Sequence, residues 1–373
     1  RDRSVSRGLG DVYKRQVPDG MAPGSDTANL SVIGYDPKEY YTGRSPLEAL
    51  SIGVDMAPTD VSFRCNLVTL SEEEERYEDK RILDHSSSEI STEDAAVLME
   101  TLMQEMRRGG YEFYTGTSYR HLLIHKFGSV VELTAPHDIL TKRIGEYLPQ
   151  DAVLREMMET SYRILSNHPL NLERKAKGLN PANSVWFWGA GTRPMLTSFE
   201  EKYHKKGAMI SAVDLLKGIA VGAGLDNIIV EGANGGLHTN YTGKAEAAVD
   251  ALAAQDYDFV YVHIEAPDEM GHQGSIPDKI KAIENIDQKI IGPIVGELED
   301  LCMDFRTLVL PDHPTPICVR THTGNPVPYL LYDSRKKAEG MPEYSERLGN
   351  KSPLFEKEGH RLLSRLFEMD NER

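Results

Sequence analysis

The sequence predicts an α/β protein with a mainly parallel sheet and a smaller α+β cap domain inserted into it. From residue 184 onward, apolar strand-like runs, beginning with SVWFWGAG, alternate with helix-like runs, a pattern typical of a parallel sheet covered by helices. Residues 58–181 show a different pattern, in which predicted strands and amphipathic helices do not alternate regularly. The length of 373 residues is enough for about two domains.

The first residues of the chain differ from the rest. RDRSVSRGLGDVYKRQ is basic in an acidic protein and shows neither helical nor strand periodicity. We expect residues 1–16 to be a non-native prefix and exclude them from the fold. Residues 17–57 and 182–373 are then expected to form the two pieces of a discontinuous core, with residues 58–181 as the inserted cap.

The first core piece, residues 17–57, is predicted to consist of a loop, a short helix and a second loop. PGSDTANLS places Ser25 in a glycine turn, and the following residues are able to start a helix with its N–H groups toward that serine. A serine hydroxyl is a poor nucleophile unless a base or a metal lowers its pKa. Taken alone, Ser25 therefore fits a helix cap better than a nucleophile.

The inserted segment predicts strands and two clear helices. VSFRCNLVTL has the β-branched and apolar residues of a strand, and YEFYTGTSYRHLLIHKF and VVELTAPHDI are also strand-like. SSEISTEDAAVLMETLMQEMRR has capping residues followed by apolar residues at helical spacing, and a second helix surrounds AVLREMMETSYRILSNH. The mixture of element types predicts an α+β domain.

Two strands of the second core piece are each followed by an aspartate and a histidine. FVYVHI leads to Asp268 and His272, and TLVL leads to Asp312, His313 and, further on, His322. Ligands of open α/β sheets bind beyond the carboxyl ends of the strands, so these side chains are expected to meet. Either Asp/His pair alone is also consistent with an Asp that caps a helix and a His that is exposed to solvent. Carboxylates mixed with imidazoles suit manganese or zinc better than magnesium or calcium.

Composition excludes several classes of function. A net charge of −16 argues against general binding to nucleic acid or to an anionic membrane, although a small phosphorylated substrate needs only a local cationic pocket. Three cysteines far apart in the sequence indicate reduced thiols rather than a disulfide framework or a zinc ribbon. No apolar run has the ~20 residues of a membrane span, and we expect a cytoplasmic protein.

The motifs together resemble one enzyme family. PGSDTANLSVIGYDPKEYYTGRSPLEA, DVSFRCNLVTL, SYRHLLI, APHDI, HTNYTGKAEAA, HIEAPDEMGH and LPDHPTPICVRTHT occur in the order seen in archaeal-type cofactor-independent phosphoglycerate mutases and their bacterial relatives. These enzymes belong to the alkaline phosphatase superfamily. The resemblance covers nearly everything from residue 17 to the C-terminus and implies an alkaline-phosphatase-like core with an inserted cap.

This resemblance also implies roles for individual residues. Ser25 is expected to become phosphoserine during the interconversion of 3-phosphoglycerate and 2-phosphoglycerate. One divalent metal is expected on Ser25, Asp312 and His313, and the other on Asp268, His272 and His322. Manganese is the expected metal, with zinc, cobalt and magnesium as alternatives. The cap is expected to hold the substrate through a clamp whose candidates are Arg64, Arg120, His121, His137 and Asp138.

One departure from the family concerns the first metal site. The family begins with a strand ending in Asp-Gly, and its Asp completes that site. Asp19 and Gly20 have no apolar strand before them, so we do not assign Asp19 this role and expect the chain to lack that strand and ligand.

Three other interpretations stay open at this stage. The same metal centre would serve a homoserine kinase-like phosphotransferase, since a kinase of this fold needs no glycine-rich phosphate loop. Access of water to the intermediate would give a metal-dependent phosphatase or sulfatase. A truncated chain could instead be a non-catalytic fragment that binds a ligand or one metal. The sequence does not predict an oligomeric state.

Overall fold

The structure is a computed structural model that describes residues 12–14, 16–336, 344–350 and 355–368. The chain divides into two compact units. The inserted unit is Thr42–Pro194, and the discontinuous unit combines Arg1–Tyr41 with Met195–Arg373. The described residues form helices and also sheets with both parallel and antiparallel strand pairs, so the predicted α/β class is confirmed.

Short strands are spread along the whole described chain. In chain order the strands are β1 (Val12–Lys14), β2 (Val61–Leu70), β3 (Ile82–Asp84), β4 (Tyr111–Tyr114), β5 (Arg120–His125), β6 (Ser184–Thr192), β7 (Gly207–Ile210), β8 (Asp226–Asn227), β9 (Phe259–Val262), β10 (Arg306–Val309), β11 (Val327–Asp333) and β12 (Phe355–Glu356).

Helices connect most of these strands. They are α1 (Ser25–Val32), α2 (Pro37–Tyr40), α3 (Arg44–Ser51), α4 (Thr92–Glu105), α5 (Ala152–Leu165), α6 (Pro169–Ala176), α7 (Phe199–Tyr203), α8 (Asp214–Ala223), α9 (Tyr241–Ala254), α10 (Ala266–Gln273), α11 (Ile276–Ile286), α12 (Gly292–Asp300), α13 (Glu346–Gly349) and α14 (Leu362–Glu368). Over the described residues, no helix combines the length and the apolar character that a membrane crossing requires.

The discontinuous unit contains two sheets among its described strands. One is the parallel sheet β8-β7-β9, and the other is the mixed sheet β10-β11-β1-β12. The core was expected to hold one mainly parallel sheet; its described strands form two sheets, in which three pairings are parallel and the two made by β11 are antiparallel. The apolar run NIIVEG contributes only its first residue, Asn227, to the two-residue β8.

The excluded N-terminal segment contains a strand. Val12–Lys14 pairs antiparallel with β11 and parallel with β12, so these three residues of the expected prefix take part in a sheet. Three residues are too few to show a period, and their pairing uses backbone atoms that a side-chain pattern does not reveal. Residues 1–11 and 15 of the expected prefix lie outside the described residues.

The inserted unit is built on an antiparallel sheet of five strands. All ten residues of β2 are buried, because β5 and β6 pair with its two edges. β6 was expected in the core, but SVWFWGAG pairs with β2 of the inserted unit and places Phe187 opposite Cys65. An apolar run of this length fits a central strand of either kind of sheet.

Helices cover this antiparallel sheet and were well marked in the sequence. Ser91 accepts a hydrogen bond from the N–H of Asp94 at the start of α4, and Asp151 caps α5 in the same way, as residues of these types do at helix N-termini. Buried residues of both helices join those of β2 in one apolar core. VVELTAPHDI is not a strand as expected, since it ends in a 3₁₀ turn at Pro136–Ile139.

Candidate functional site

Three elements of the discontinuous unit end or begin next to the residues that were predicted to bind metal or to react. Strand β9 leads into α10, which carries Asp268 and His272 one turn apart. Strand β10 leads into the loop with Asp312 and His313, and α1 begins at Ser25. Ser25 is the first helical residue rather than the helix cap, which is Gly24.

The structure brings all six predicted metal ligands into one group of side chains. We call this group the ligand cluster; its members are Ser25, Asp268, His272, Asp312, His313 and His322. The Oδ atoms of Asp268 lie 3.3 Å from the Nε2 atoms of both His272 and His322. The rings of His313 and His322 are 3.9 Å apart at their centroids, which joins the two predicted ligand sets.

Ser25 lies at one side of the ligand cluster. Its Oγ is 3.0 Å from Nε2 of His313, and Oδ2 of Asp312 is 3.5 Å from the same nitrogen. Asn29 joins these groups through its side-chain amide, which donates to Oδ2 of Asp312 at 2.9 Å and to the carbonyl oxygen of Ser25 at 2.8 Å. Tyr261 donates to the other end of that amide at 2.6 Å, so the orientation of the amide is determined.

The hydrogen bonds of the histidines leave their Nε2 atoms facing inward. Nδ1 of His272 contacts the carbonyl oxygen of Arg320, and Nδ1 of His322 contacts that of Pro23, both at 3.0 Å. A carbonyl oxygen only accepts, so both Nδ1 atoms carry hydrogen and each neutral ring has its lone pair at Nε2. These two Nε2 atoms are 3.0 Å apart, which is a favourable arrangement only when a proton or a cation lies between them.

Charge and burial act against each other in the ligand cluster. Burial alone would raise the pKa of Asp268, but its contact with Nε2 of His322, the hydrogen bond from Thr315 and the nearby imidazoles outweigh it and lower the pKa. Burial lowers the pKa of His313 despite the attraction of Asp312. Asp268 is therefore ionised and His313 neutral near pH 7, which are the forms that bind a metal ion.

These groups fit a divalent metal centre. Among the described residues, potential donor atoms of Asp268, His313 and His322 all lie within 4.8 Å of one another. This trio combines residues from both predicted ligand sets. Carboxylate oxygens with inward-facing imidazole nitrogens match manganese or zinc chemistry, and a metal-binding histidine typically donates its other ring N–H to a carbonyl oxygen or a carboxylate, as His272 and His322 do here.

No definite role was predicted from the sequence for several polar residues around this cluster. Asn29 and Tyr261 stand in helix and strand runs that give no sign of function. Lys244 is buried and donates to the carbonyl oxygen of His263 at 2.9 Å, and burial lowers its pKa to about 8. Thr315 contacts two members of the ligand cluster, and its position in PDHPTP was the only signal that could have identified it.

The predicted clamp residues lie in the inserted unit, and two of them share a neighbour. The guanidinium of Arg64 lies 4.3 Å over the ring of Trp188, and the ring of His137 meets the same indole edge-on at 5.2 Å. Glu48 lies 2.8 Å from Nε of Arg64 and 3.1 Å from Nε of Arg44. We call Arg44, Glu48, Arg64, His137 and Trp188 the arginine cluster. The indole of Trp188 lies against the Arg64 cation.

The other three clamp candidates are less suited to binding an anion together. Burial lowers the pKa of His121 to about 3, and its Nδ1 accepts from the N–H of Gly116 at 3.1 Å, so His121 carries no positive charge. Arg120 lies against Tyr119 at 5.2 Å. Asp138 is largely exposed and is 3.9 Å from Nε2 of His137.

Comparison with known sequences gives consistent results. A family model described as 2,3-bisphosphoglycerate-independent phosphoglycerate mutase matches residues 12–171. A protein of that name from Methanosarcina barkeri is 50% identical over 345 residues, covering 90% of this chain and 84% of that protein. A second such protein, from Methanothermobacter thermautotrophicus, is 44% identical and covers 94% of this chain and 85% of that protein.

Solved structures support the same relationship. A protein from Pyrococcus horikoshii has a TM-score of 0.78 at 29% identity, covering 100% of this chain and 89% of that one. A cofactor-independent phosphoglycerate mutase from Thermoplasma acidophilum has a TM-score of 0.59 at 26% identity, covering 98% of this chain and 89% of that one. Both likenesses extend over the inserted and the discontinuous unit.

Proposed function

Because this chain belongs to the 2,3-bisphosphoglycerate-independent phosphoglycerate mutase family, we propose that it interconverts 3-phosphoglycerate and 2-phosphoglycerate through a phosphoserine on Ser25. Membership of the family makes the chain an isomerase. The observation that carries the proposed mechanism is the position of the Ser25 hydroxyl, 3.0 Å from Nε2 of His313 at the edge of the ligand cluster.

Ser25 is the proposed nucleophile because its surroundings favour both the alkoxide and the phosphoryl group. It opens α1, and the free N–H groups of a helix N-terminus favour a phosphate bound there. The Ser25 hydroxyl loses its proton as Oγ attacks phosphorus, and the glycerate oxygen that leaves takes up a proton. The phosphoryl group passes from the substrate to Ser25, and the other hydroxyl of the retained glycerate then takes it back.

Two divalent ions, with Mn²⁺ as the preferred metal, complete the proposal. When bound, they would lower the pKa of the serine hydroxyl and offset the charge of the transferring phosphoryl group. Asp312 and His313 are proposed to hold one ion with Ser25, and Asp268, His272 and His322 the other. The inward-facing lone pairs and the ionised Asp268 support this assignment. The contact of Asp268 with His313 and His322 within 4.8 Å indicates that the two sets are close neighbours.

We propose that the chain has an alkaline-phosphatase-like core with an inserted cap. The inserted unit is this cap, and it is proposed to contribute the groups that bind the anionic substrate. Arg64 is the best supported of the five clamp candidates. Its pKa falls with burial, though Glu48 opposes the fall, to about 10, so it stays charged near pH 7. A guanidinium binds carboxylate or phosphate with two parallel hydrogen bonds, and the indole of Trp188 holds its plane.

The test is conversion of 3-phosphoglycerate to 2-phosphoglycerate in the presence of Mn²⁺ by the chain with the family's N-terminal Asp-Gly strand restored, here the wild type, and by its Ser25→Ala version. We expect turnover by the wild type and none by the variant, while Ser31→Ala in the same helix keeps turnover. A Ser25→Ala protein with full turnover would refute the phosphoserine mechanism. A folded wild type that binds two ions without turnover would contradict the mutase, and ATP with homoserine would then be the substrates to try.

A further inference from the structure

One hydroxyl group touches both proposed ligand sets. Thr315 follows Asp312 and His313 in the loop after β10 and is only 5% exposed. Its Oγ1 donates a hydrogen bond to Oδ1 of Asp268 and lies 3.3 Å from Nδ1 of His313. Asp268 belongs to one proposed ligand set and His313 to the other.

The proton count gives this hydroxyl a defined role. An ionised carboxylate only accepts, so the single hydrogen of Thr315 points to Asp268. Oγ1 then has only lone pairs to offer His313, whose Nδ1 must carry the hydrogen of the neutral ring. The lone pair of His313 is thereby placed at Nε2, which faces Oγ of Ser25 at 3.0 Å.

His313 differs in this respect from the other two histidines of the ligand cluster. Nδ1 of His272 and Nδ1 of His322 contact backbone carbonyl oxygens, which no side-chain substitution removes. The orientation of His313 depends instead on a side chain. Thr315 itself is held in place, because Lys279 donates to its carbonyl oxygen at 2.6 Å and prolines precede and follow it.

We propose that Thr315 is a positioning residue that couples the two metal sites by orienting Asp268 and His313 at once. This inference rests on the two-metal part of the proposed function. A single hydrogen-bonded chain then runs from Asp268 through the hydroxyl to the imidazole beside the nucleophile. Loss of the hydroxyl leaves Asp268 with one donor fewer and allows the ring of His313 to turn or to change tautomer, so both sites are weakened together.

The experiment compares Thr315→Val, which keeps the shape and removes the hydroxyl, with Thr315→Ser, which keeps the hydroxyl. Calorimetric titration of the metal-free protein with Mn²⁺ measures the affinity for each ion, and 3-phosphoglycerate conversion measures kcat and KM. Outer-shell substitutions lower metal affinity or activity roughly 10- to 100-fold. We expect Thr315→Val to lower both affinities and kcat by that order with little change in KM, and Thr315→Ser to stay near the wild type.

A matched control and a melting curve separate positioning from folding. Thr242→Val removes an exposed hydroxyl from α9 and is expected to leave both affinities unchanged. Thermal unfolding of the metal-free proteins is expected to give similar Tm values for Thr315→Val and Thr315→Ser. Wild-type Mn²⁺ affinities in Thr315→Val would overturn the inference, and so would an equal loss in Thr315→Ser, because the methyl group would then be the important part.

The outcomes also distinguish this inference from the proposed function. A wild type that binds two ions without mutase turnover contradicts the function, while the Mn²⁺ affinities of the Thr315 variants still test the coupling. A wild type with mutase turnover whose Thr315→Val variant keeps wild-type affinities and kcat contradicts only the coupling.

Discussion

The ligand cluster of the discontinuous unit and the arginine cluster of the inserted unit are built in different ways. In the ligand cluster, Asp268 and Asp312 each lie shortly after a strand, and Ser25 opens a helix. In the arginine cluster, Arg64 lies in the middle of β2 and meets Trp188 of β6 through antiparallel strand pairing. One cluster is assembled from element ends, whereas the other is assembled from facing strands.

This difference determines what substitutions reveal. Side chains at element ends project into a shared space, so a change in one ligand affects the others through charge. The arginine cluster stacks a cation on an aromatic ring and pairs it with Glu48, so geometry and charge both contribute there. Substitutions that change only charge should therefore act most strongly in the ligand cluster, and substitutions that keep charge but change shape should act most strongly in the arginine cluster.

The largest effect is expected for Asp268→Asn, which keeps shape and removes charge. Metal centres contribute several kcal/mol to catalysis, so loss of this ligand is expected to lower kcat at least about 10³-fold. Mn²⁺ binding measured by calorimetry should weaken in parallel. Asp214→Asn, in α8 of the same unit and paired with Lys217, is the control and should leave both quantities unchanged. Unaltered Mn²⁺ affinity in Asp268→Asn would remove Asp268 from the ligand set.

An intermediate effect is expected for Arg64→Lys, which keeps charge and changes shape. A hydrogen bond to a charged group contributes about 1.5–3 kcal/mol. Lysine lacks the planar guanidinium that forms two parallel hydrogen bonds, so the KM for 3-phosphoglycerate should rise roughly 10- to 100-fold. Mn²⁺ affinity should stay unchanged, in contrast to Asp268→Asn. Arg108→Lys, whose partner is the exposed Glu156, controls for the general effect of such a replacement. A wild-type KM in Arg64→Lys would exclude Arg64 from substrate binding.

The same difference explains what the sequence could predict. Asp268 and His272 come directly after an apolar strand, and the edge of a sheet where such strands end is known without knowing the strand order. The strand β6 could not be assigned to its sheet, because a buried apolar run has the same pattern in parallel and antiparallel sheets. The partnership of Arg64 with Trp188 depends on that strand pairing, and so it was missed along with it.

Residues whose hydrogen bonds join parts of the chain far apart in sequence could not be identified from the sequence either. Asn29 joins Ser25 to Asp312, yet it stands inside a short helix where an asparagine has many ordinary roles. Tyr261 stands in an apolar strand, where an aromatic residue is expected for packing alone. Neither residue type is distinctive, and only the tertiary contacts show what each hydroxyl or amide touches.

The smallest effect is expected for Tyr261→Phe, which tests whether this hidden support matters to the ligand cluster. The hydroxyl of Tyr261 donates to Asn29 at 2.6 Å and so keeps the Asn29 amide turned toward Asp312. A neutral hydrogen bond contributes about 0.5–1.5 kcal/mol, which predicts a fall in kcat of roughly 2- to 10-fold with little change in KM. Tyr257→Phe removes a comparable hydroxyl, bonded at 2.9 Å to Asp226, and should leave kcat unchanged. Equal effects of the two variants would mean that the orientation of Asn29 does not limit catalysis, and the proposed support of Asp312 would then reduce to packing.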